Sequence, residues 1–497
     1  MNSLGAQAKV GAFWVILQQV TLRGFSFVTN VILARLLFPE DFGIVAIAMI
    51  AWEVVRLFGN LGIGAKLIHQ QEEVNEYATS AFWLNVIVSF VLAVIAVAVS
   101  PYVALFYNNG LVQPILILFA IAFFVQSFGS THLALLNKEL AFKKIVLVEV
   151  VLNVLSKLCA IGMAFSGFGV WSLVIPDVLT SPFKTVAFWV LNPWRPGFRL
   201  NTRYWKNIFR FGFNYLGADL TRYLSINGDY LIVGRMLGER SLGLYTFAYN
   251  VANLPFDNVV GTMARVAFPT FSKLQGDLDR FRAFFLKITK VTSLVSFPLL
   301  VEVLVLADLI IPLVYGDKWR EAILPLKIII GFVLFRVFSS PGGQVLFALG
   351  KPEALFKFNL IQVPFLLTAV FIGSHYGIVG VALGMSLVLV AGSLVLLGIS
   401  IKPIGLNFKT VLDSVFPAAV SSAFLVLALG LFKELLLAEG MGSVFSLAVL
   451  IPSGLGVYTL ILFMFFRKDF SFLWNLVWNE FRARFFVLKK TSSSGVV

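Results

Sequence analysis

Ile32-Leu33-Ala34-Arg35-Leu36-Leu37, followed by Phe42-Gly43, returns 200 residues later as Ile232-Val233-Gly234-Arg235-Met236-Leu237, followed by Leu242-Gly243. The same offset pairs Phe13 with Phe213, Thr21 with Thr221 and Ala48 with Ala248. Matches gathered at one helix end and its turn argue for duplication of a whole block. Each copy lies between two long apolar runs, so the duplicated block is a piece of membrane. A helix needs about 20 apolar residues to cross about 30 Å of hydrocarbon. Such runs fall near 10–36, 42–65, 78–99, 112–136, 145–165 and 169–191, then near 208–235, 241–269, 284–312, 322–349, 355–375, 378–400, 411–436 and 443–466. Six spans separate the two copies, an even number, so the halves have parallel topology about an axis along the membrane normal.

Composition excludes the soluble classes. Of 497 residues, 59% are hydrophobic and 13% charged, with a mean hydropathy of +0.91. Soluble domains carry about 25% charged residues, so a soluble enzyme or nucleic-acid binder is ruled out. No segment alternates with a period of two, which excludes a β-barrel. The first span is too long for a signal-peptide core and lacks a small-residue cleavage site, so it is expected to be retained. Cys159 stands alone, and His69, His132 and His375 are scattered. That leaves neither a disulfide framework nor a metal site. Walker A, zinc-protease and nucleophile-elbow motifs are missing, so neither ATP-driven pumping nor hydrolysis is supported, and no cofactor is expected.

The expected fold is therefore an all-α polytopic membrane protein of about 14 transmembrane helices. Two six-helix lobes, 1–197 and 198–402, would enclose a central cavity. Two further helices (403–466) and a cytoplasmic tail (467–497) would follow, with residues 192–210 as the inter-lobe connector. Basic residues concentrate in one set of alternate loops, among them Lys138, Lys143, Lys144, Arg195, Arg199, Arg203 and Lys206. The opposite loops hold Arg35, Arg235, Arg240, Lys318, Arg320 and Lys433. The positive-inside rule then puts both termini in the cytoplasm. The net charge of +14 reads as topology. In the tail, Phe470, Phe472, Trp474, Trp478, Phe481, Phe485 and Phe486 alternate with Arg482, Arg484, Lys489 and Lys490, which predicts an amphipathic helix on the anionic inner leaflet.

Charges at membrane depth cost about 2.5–3.5 kcal/mol each on insertion scales and usually face a bundle interior or cavity. Here they form stripes. Gln19, Arg23, Ser26 and Asn30 span an arc of about 60° on the first helix. The second helix carries Glu53, Arg56 and Asn60. The seventh carries Asp219, Arg222, Ser225 and Asp229, and the eighth Asn250, Asn253, Asp257 and Arg265. These are the repeat-equivalent helix pairs, which points to one shared cavity. Structural ion pairs within the bundle, Glu53 with Arg56 or Asp219 with Arg222, are the competing reading for any single residue. Glu149, Asn153 and Lys157 form a further stripe, with Lys157 a candidate cavity residue and Lys184 snorkelling to the surface. Among Asp177, Asp308, Glu302, Lys327 and Arg336, the best cavity candidate is Arg336, beside Ser339 and Ser340.

Leu33-Ala34-Arg35-Leu36-Leu37-Phe38-Pro39-Glu40-Asp41-Phe42-Gly43 resembles the first-loop signature of bacterial polysaccharide exporters, the Wzx-like branch of the multidrug/oligosaccharidyl-lipid/polysaccharide (MOP) flippases. Asn227-Gly228-Asp229-Tyr230 through Gly238, with Leu242-Gly243-Leu244-Tyr245, is similar to the second-lobe block. Ala267-Phe268-Pro269-Thr270-Phe271-Ser272-Lys273 and Tyr315-Gly316-Asp317-Lys318-Trp319 also fit. The similarity runs over roughly residues 8–466 and leans to the colanic-acid-type exporters. It implies a two-lobed bundle with a cationic cavity. It also implies flipping of undecaprenyl-pyrophosphate-linked oligosaccharides from the inner to the outer leaflet by alternating access, for exopolysaccharide, capsule or O-antigen synthesis. Arg23, Arg56 and Arg265 occupy places comparable to the family's cavity arginines. Arg222, Arg336, Gln19, Asn30, Asn60, Asn250 and Asn253 complete the expected substrate set, and Asp219, Asp229, Asp257 and Glu53 are ion-coupling candidates. The lipid-linked substrate, the bilayer and the polymerase and export machinery of the same pathway are the expected partners.

Arginine offers bidentate, charge-assisted contacts to phosphate, while Asn, Gln and Ser can bond sugar hydroxyls. A cation-coupled multidrug antiporter of the same superfamily is the alternative, since Asp219 or Asp257 could carry the ion. The stripe charges are balanced and do not decide between the two. A membrane polymerase or ligase would need a large outward catalytic loop, and the longest, near residues 101–111, is short.

Overall fold

The computed structural model describes residues 2–59, 67, 72–198, 203–475 and 478, with side chains except those of 2–17, 20, 203–204, 206–222 and 224–226. Its regular elements are all helices among these residues. They are α1 (Asn2–Leu36), α2 (Pro39–Gly59), α3 (Val74–Tyr107), α4 (Val112–Lys138), α5 (Phe142–Phe165), α6 (Trp171–Leu191) and α7 (Arg203–Lys273). There follow α8 (Leu278–Ile310), α9 (Ile323–Ser339), α10 (Pro341–Ala348), α11 (Pro352–Ser374), α12 (Gly377–Ile401), α13 (Phe408–Ala438) and α14 (Ser443–Phe465). A π turn, Ile311–Tyr315, and a 3-10 turn, Asp317–Ala322, join α8 to α9. Eleven of the described helical segments are long and apolar enough to cross a membrane. The chain is thus an all-helical, multi-pass membrane protein. α7, which carries Asp229, Arg235, Asp257 and Arg265 along its length, is not among the eleven.

The chain divides into two compact units. The first comprises Met1–Thr246, Val314–Trp319 and Val370–Val381; the second comprises Phe247–Leu313, Arg320–Ala369 and Ala382–Val497. In the first, α3 packs on α4, α4 and α5 pack on α6, α1 packs on α5, and α2 packs on α3 and α4. In the second, α8 is the central helix, covered by α9, α13 and α14, with α13 also against α14.

The first unit holds both copies of the repeat, and they meet reciprocally. A Cβ on Gly43 would lie 1.8 Å from the Glu239 carbonyl oxygen, and one on Gly243 would lie 1.9 Å from that of Pro39. Residues 43 and 239 therefore touch as 243 and 39 do, which is the signature of a local two-fold relation. On that axis, Arg240 donates to Glu40 at 2.7 Å. Both glycines are there because nothing larger lets the backbones approach so closely. The helix breaks match as well. Between α1 and α2 the chain turns at Phe38, whose N–H is capped by the Asp41 carboxylate at 2.9 Å. Two hundred residues on, Gly238 makes the corresponding break inside α7 by adopting φ 80°, a conformation open to glycine. The sequence predicts two spans, 208–235 and 241–269, with a turn between, and the non-helical backbone at Gly238 separates two helices there.

The segment Val314–Trp319 seals this end of the first unit. Trp319 is fully buried, donates its indole N–H to the Ala34 carbonyl at 2.9 Å, and stands edge-on to Phe42 at 5.4 Å. Arg35 donates to the Val314 carbonyl at 2.8 Å, and Lys318 to the Arg35 carbonyl at 2.8 Å. These polar groups cap the last carbonyls of α1, which have no partner within the helix.

Helix-interior prolines explain two further features. Pro101 lies within α3, which continues to Tyr107 and shortens the expected 101–111 loop to a few residues. The Val97 carbonyl that the proline leaves without a donor accepts instead from the Ser100 hydroxyl at 2.8 Å. Asn108, at φ 54°, closes the helix with its N–H on the preceding turn's carbonyls. In the second unit, Pro298 frees the Leu294 carbonyl of α8, and Tyr458 of α14 donates its hydroxyl to it at 2.9 Å. The expected span 322–349 matches one continuous candidate span, Asp317–Ala348, within which Ser340 keeps helical dihedrals (φ −59°, ψ −34°) ahead of Pro341. The expected 192–210 connector ends earlier, because α7 already starts at Arg203. Its first residues are pinned by Trp83 donating to the Gly197 carbonyl and by Arg195 over the Trp189 ring.

Candidate functional site

The candidate residues fall into separate groups within each unit. In the first unit, Arg23 and Asn30 of α1 are exposed and Gln19 is half-buried. Their neighbour Gln18, which the sequence reading passed over, hydrogen-bonds the Glu149 carboxylate of α5. That contact ties the α1 stripe to the Glu149 stripe. Two turns along α5, Lys157 reaches Asp177 of α6 at 3.5 Å, and the Ser156 hydroxyl donates to the same carboxylate at 2.5 Å. Lys157, a cavity candidate from sequence, is thus committed to a helix-to-helix pair.

On α2, Arg56 grips one oxygen of Glu53 with both Nε, at 2.9 Å, and a terminal nitrogen, at 2.8 Å. This is the intrahelical pair that the structural reading of the stripe anticipated. It leaves the Arg56 side chain 58% exposed, so the guanidinium still presents donors outward. Tyr223 of α7 donates its hydroxyl to the Ile50 carbonyl of α2 at 3.0 Å, fixing α7 against α2. Asn60, Asp219 and Arg222 lie outside the described residues or their described side chains.

Asp229 stands apart from the exposed members of its stripe. It is only 3% exposed, and the Tyr245 hydroxyl donates to its Oδ2 at 2.7 Å. Tyr230 packs edge-on to Tyr245 at 5.8 Å. No basic side chain is bonded to the pair in these contacts. The signal for it, a tyrosine 16 residues downstream in the second repeat block, was present in the sequence without a reason to join the two.

In the second unit, two of the candidates come together. Arg336 of α9 donates to the Asn253 side-chain oxygen at 2.9 Å, while Asn253 donates to the Tyr249 carbonyl at 2.9 Å. The Arg336 guanidinium lies over the Phe256 ring at 4.1 Å. Hydrogen bond and cation–π contact together hold a half-buried arginine in one orientation. Arg265 lies farther along α7, exposed, and lines a cleft of about 410 Å³ with Phe268, Pro269, Gln344 and Phe347. Gln344, on α10, was not singled out from sequence. The cleft is open and its exposed lining is mostly apolar, with the Arg265 guanidinium and the Gln344 carboxamide as its polar members. Asn250 and Asp257 are exposed on the same helix. Asp308 joins Lys327 at 2.8 Å and Lys433 at 3.0 Å, a cluster whose partners could not be assigned from sequence.

The model of a family described as polysaccharide biosynthesis protein matches residues 32–324, from the first repeat copy past Trp319. The chain belongs to that family. It is 28% identical over 405 residues to the lipopolysaccharide biosynthesis protein WzxC of Escherichia coli (strain K12), covering 81% of this chain and 82% of that one. It is also 28% identical over 361 residues to the teichuronic acid biosynthesis protein TuaB of Bacillus subtilis (strain 168), covering 72% and 75%. Among solved structures it is similar to the lipid II flippase MurJ in an inward closed conformation. The TM-score is 0.71 at 15% identity, over 92% of this chain and 99% of that one, which speaks for the fold. The resemblance read from the repeat blocks, to a family of polysaccharide biosynthesis proteins, is borne out.

Proposed function

We propose that this chain flips polyprenyl-pyrophosphate-linked oligosaccharide units from the inner to the outer leaflet of the bacterial inner membrane, supplying polysaccharide synthesis outside the cytoplasm. The observation that carries the reading is the family match over residues 32–324, on a chain whose helices carry arginines at membrane depth. A pyrophosphate bears at least two negative charges, and charge that is not paired does not enter hydrocarbon. Arg23, Arg56 and Arg265 are exposed on α1, α2 and α7, where a guanidinium can replace the phosphate's hydration with forked hydrogen bonds. Arg222, Gln19, Asn30, Asn60, Asn250, Asn253 and Arg336 would complete the polar path, and Glu53, Asp219, Asp229 and Asp257 stand as carriers of a coupling ion. Several weak polar contacts suit a substrate that must also leave.

In this reading the 14 spans form two six-helix lobes, residues 1–197 and 198–402, around a central cavity, followed by two helices (403–466) and a cytoplasmic tail (467–497). The reciprocal packing of residues 39–43 on 239–243 supports the duplication behind it. Both termini face the cytoplasm, and the lobes work by alternating access. The protein is a transporter, not an enzyme, and works beside the polymerase and export machinery of its pathway. The experiment is flipping of a fluorescent lipid-linked oligosaccharide in proteoliposomes containing the purified chain. Protein-dependent movement between leaflets is expected; movement of organic cations with none of the lipid-linked sugar would replace this reading with the multidrug antiporter.

A further inference from the structure

Glu302 sits two turns before the C-terminal end of α8, with only 7% of its surface exposed. Its Oε1 has no hydrogen-bond partner. That oxygen points at α14, so closely that a Cβ on Gly454 would lie 2.7 Å from it. The same Cβ would meet Leu425 and Leu429 of α13 at 3.1 and 3.2 Å. Val301, Leu306, Leu447 and Leu450 complete an apolar cluster with these leucines. A carboxyl group therefore occupies a glycine-made recess in the middle of a three-helix seam.

The charges on the packed elements are paired elsewhere or exposed; at the start of α8, Arg280 pairs with Asp277 and Arg282 with Asp279. On α8 itself, Asp308 takes Lys327 of α9 and Lys433 of α13, and Lys290 takes Asp469. Lys287 lies over the Phe472 ring. The other charge on α9, Arg336, is bonded to Asn253. On α13, Lys409, Asp413 and Glu434 are exposed near the helix ends. α10 and α14 carry no charged residue, and the one titratable group of α14, Tyr458, bonds the Leu294 carbonyl. Glu302 thus faces no cation among these groups. The Leu455 backbone of α14 offers the carboxyl a hydrogen bond, but with no cation beside it a carboxylate in such a site is still far costlier than the neutral acid.

We propose that Glu302 is a proton-binding site: its neutral carboxyl seals the α8–α14 seam, and release of its proton opens that seam during the transport cycle. Deprotonation breaks the carboxyl O–H bond and passes the proton to water, which must reach the seam to hydrate the anion. The seam can admit water only if α14 withdraws from α8. Helix breakers lie at the same level, Pro298 on α8 and Pro452 beside Gly454 and Gly456 on α14, giving the helices a place to bend. Because the closed seam accepts only the protonated form, proton binding and closure are linked reciprocally. The cycle that this step would serve is the flipping proposed above, so the coupling half of the inference rests on that reading.

Two measurements on the full-length protein test it. Infrared spectra of wild type and Glu302→Gln in lipid nanodiscs, recorded from acid to mildly alkaline pH, report the protonated carboxyl directly. A protonated-carboxyl band present at neutral pH and removed by Glu302→Gln is expected. Spectra of the two proteins that coincide would overturn the site. If Glu302→Gln does not fold, Gly454→Ala serves instead: its methyl displaces the acid, so the band should shift, and an unshifted band overturns the site. In proteoliposomes, wild-type flipping should change several-fold with an imposed pH gradient, and Glu302→Gln, which keeps the seam in its neutral form, should flip several-fold more slowly and without that dependence. A variant as gradient-dependent as wild type overturns the coupling. If neither protein moves a lipid-linked sugar, the flippase reading falls, while the infrared result still decides whether Glu302 holds a proton.

Discussion

At the residue scale, Arg56 shows how a side chain held in a structural pair can stay available to the substrate path proposed above. Its pair with Glu53 spans three residues of one helix and leaves most of the side chain exposed. Pairs of that kind contribute about 0.2–1 kcal/mol, too little to explain an arginine held at membrane depth. Arg56→Ala should therefore barely change the amount of folded protein in the membrane, yet abolish polysaccharide export. Arg23→Ala, on the exposed face of α1, should behave in the same way. Lysine at either position should restore export only in part, since it keeps the charge and loses the fork. Complementation of an exporter-deficient strain, with membrane abundance measured in parallel, is the check. Full complementation by well-expressed alanine variants would remove both arginines from the substrate path. Arg336 is a different case: stacked on Phe256 and bonded to Asn253, it shapes the second unit from within.

At the element scale, the reciprocal glycines carry the sharpest expectation. A methyl on Gly43 would meet backbone atoms of Glu239 at 1.8 Å, and one on Gly243 would meet those of Pro39 at 1.9 Å. No side chain can rotate away to relieve such clashes. Overpacking usually costs about 1–3 kcal/mol, occasionally more, and Gly43→Ala and Gly243→Ala should each exceed that range. Detergent-solubilised protein from either variant should aggregate on size-exclusion chromatography, whereas Gly24→Ala, with nothing within 4 Å of the new methyl, should run as wild type. Tyr458→Phe asks for less. It leaves the Leu294 carbonyl without a donor, and interhelical hydrogen bonds in membranes average about 0.6 kcal/mol. A fall of a few degrees in thermal midpoint, with export kept, is expected.

These two cases also mark what the sequence made legible. Apolar runs located α4, α5, α6 and α11 to α14 to within a few residues, because a helix of lipid-compatible length leaves a one-dimensional trace. The repeat was visible because both copies kept their glycines and arginines. What the runs could not reveal is pairing across the fold. Nothing in the sequence around Pro298 says that a tyrosine 160 residues later completes its hydrogen bonding, or that Gln18 rather than Gln19 meets Glu149. The run expected at 78–99 stops short of the end of α3, which continues through Pro101 to Tyr107, because a nearby hydroxyl takes up the carbonyl that the proline leaves without a donor.

At the scale of the whole molecule, the remaining question is what drives net movement outward. In the flipping proposed above, gradients across the membrane or use of the product would supply the energy. An inside-negative potential favours outward movement of a pyrophosphate by about 2.3 kcal/mol per charge per 100 mV. Two uncompensated charges at that potential amount to about 4–5 kcal/mol, enough for a bias of more than a thousandfold between leaflets. A proton gradient acting through a carboxyl such as Glu302 would add to this by a separate route, since it biases the seam and not the substrate. The two can be separated in proteoliposomes free of ATP, by imposing a potassium diffusion potential at equal pH and then a pH gradient at zero potential. Inside-negative potential should accelerate flipping toward the outer leaflet in wild type and in Glu302→Gln alike, because the field acts on the substrate's own charge. Reversing the potential should slow it. Flipping indifferent to both gradients would mean that the substrate crosses with its charge fully compensated and that downstream consumption of the flipped lipid supplies the direction.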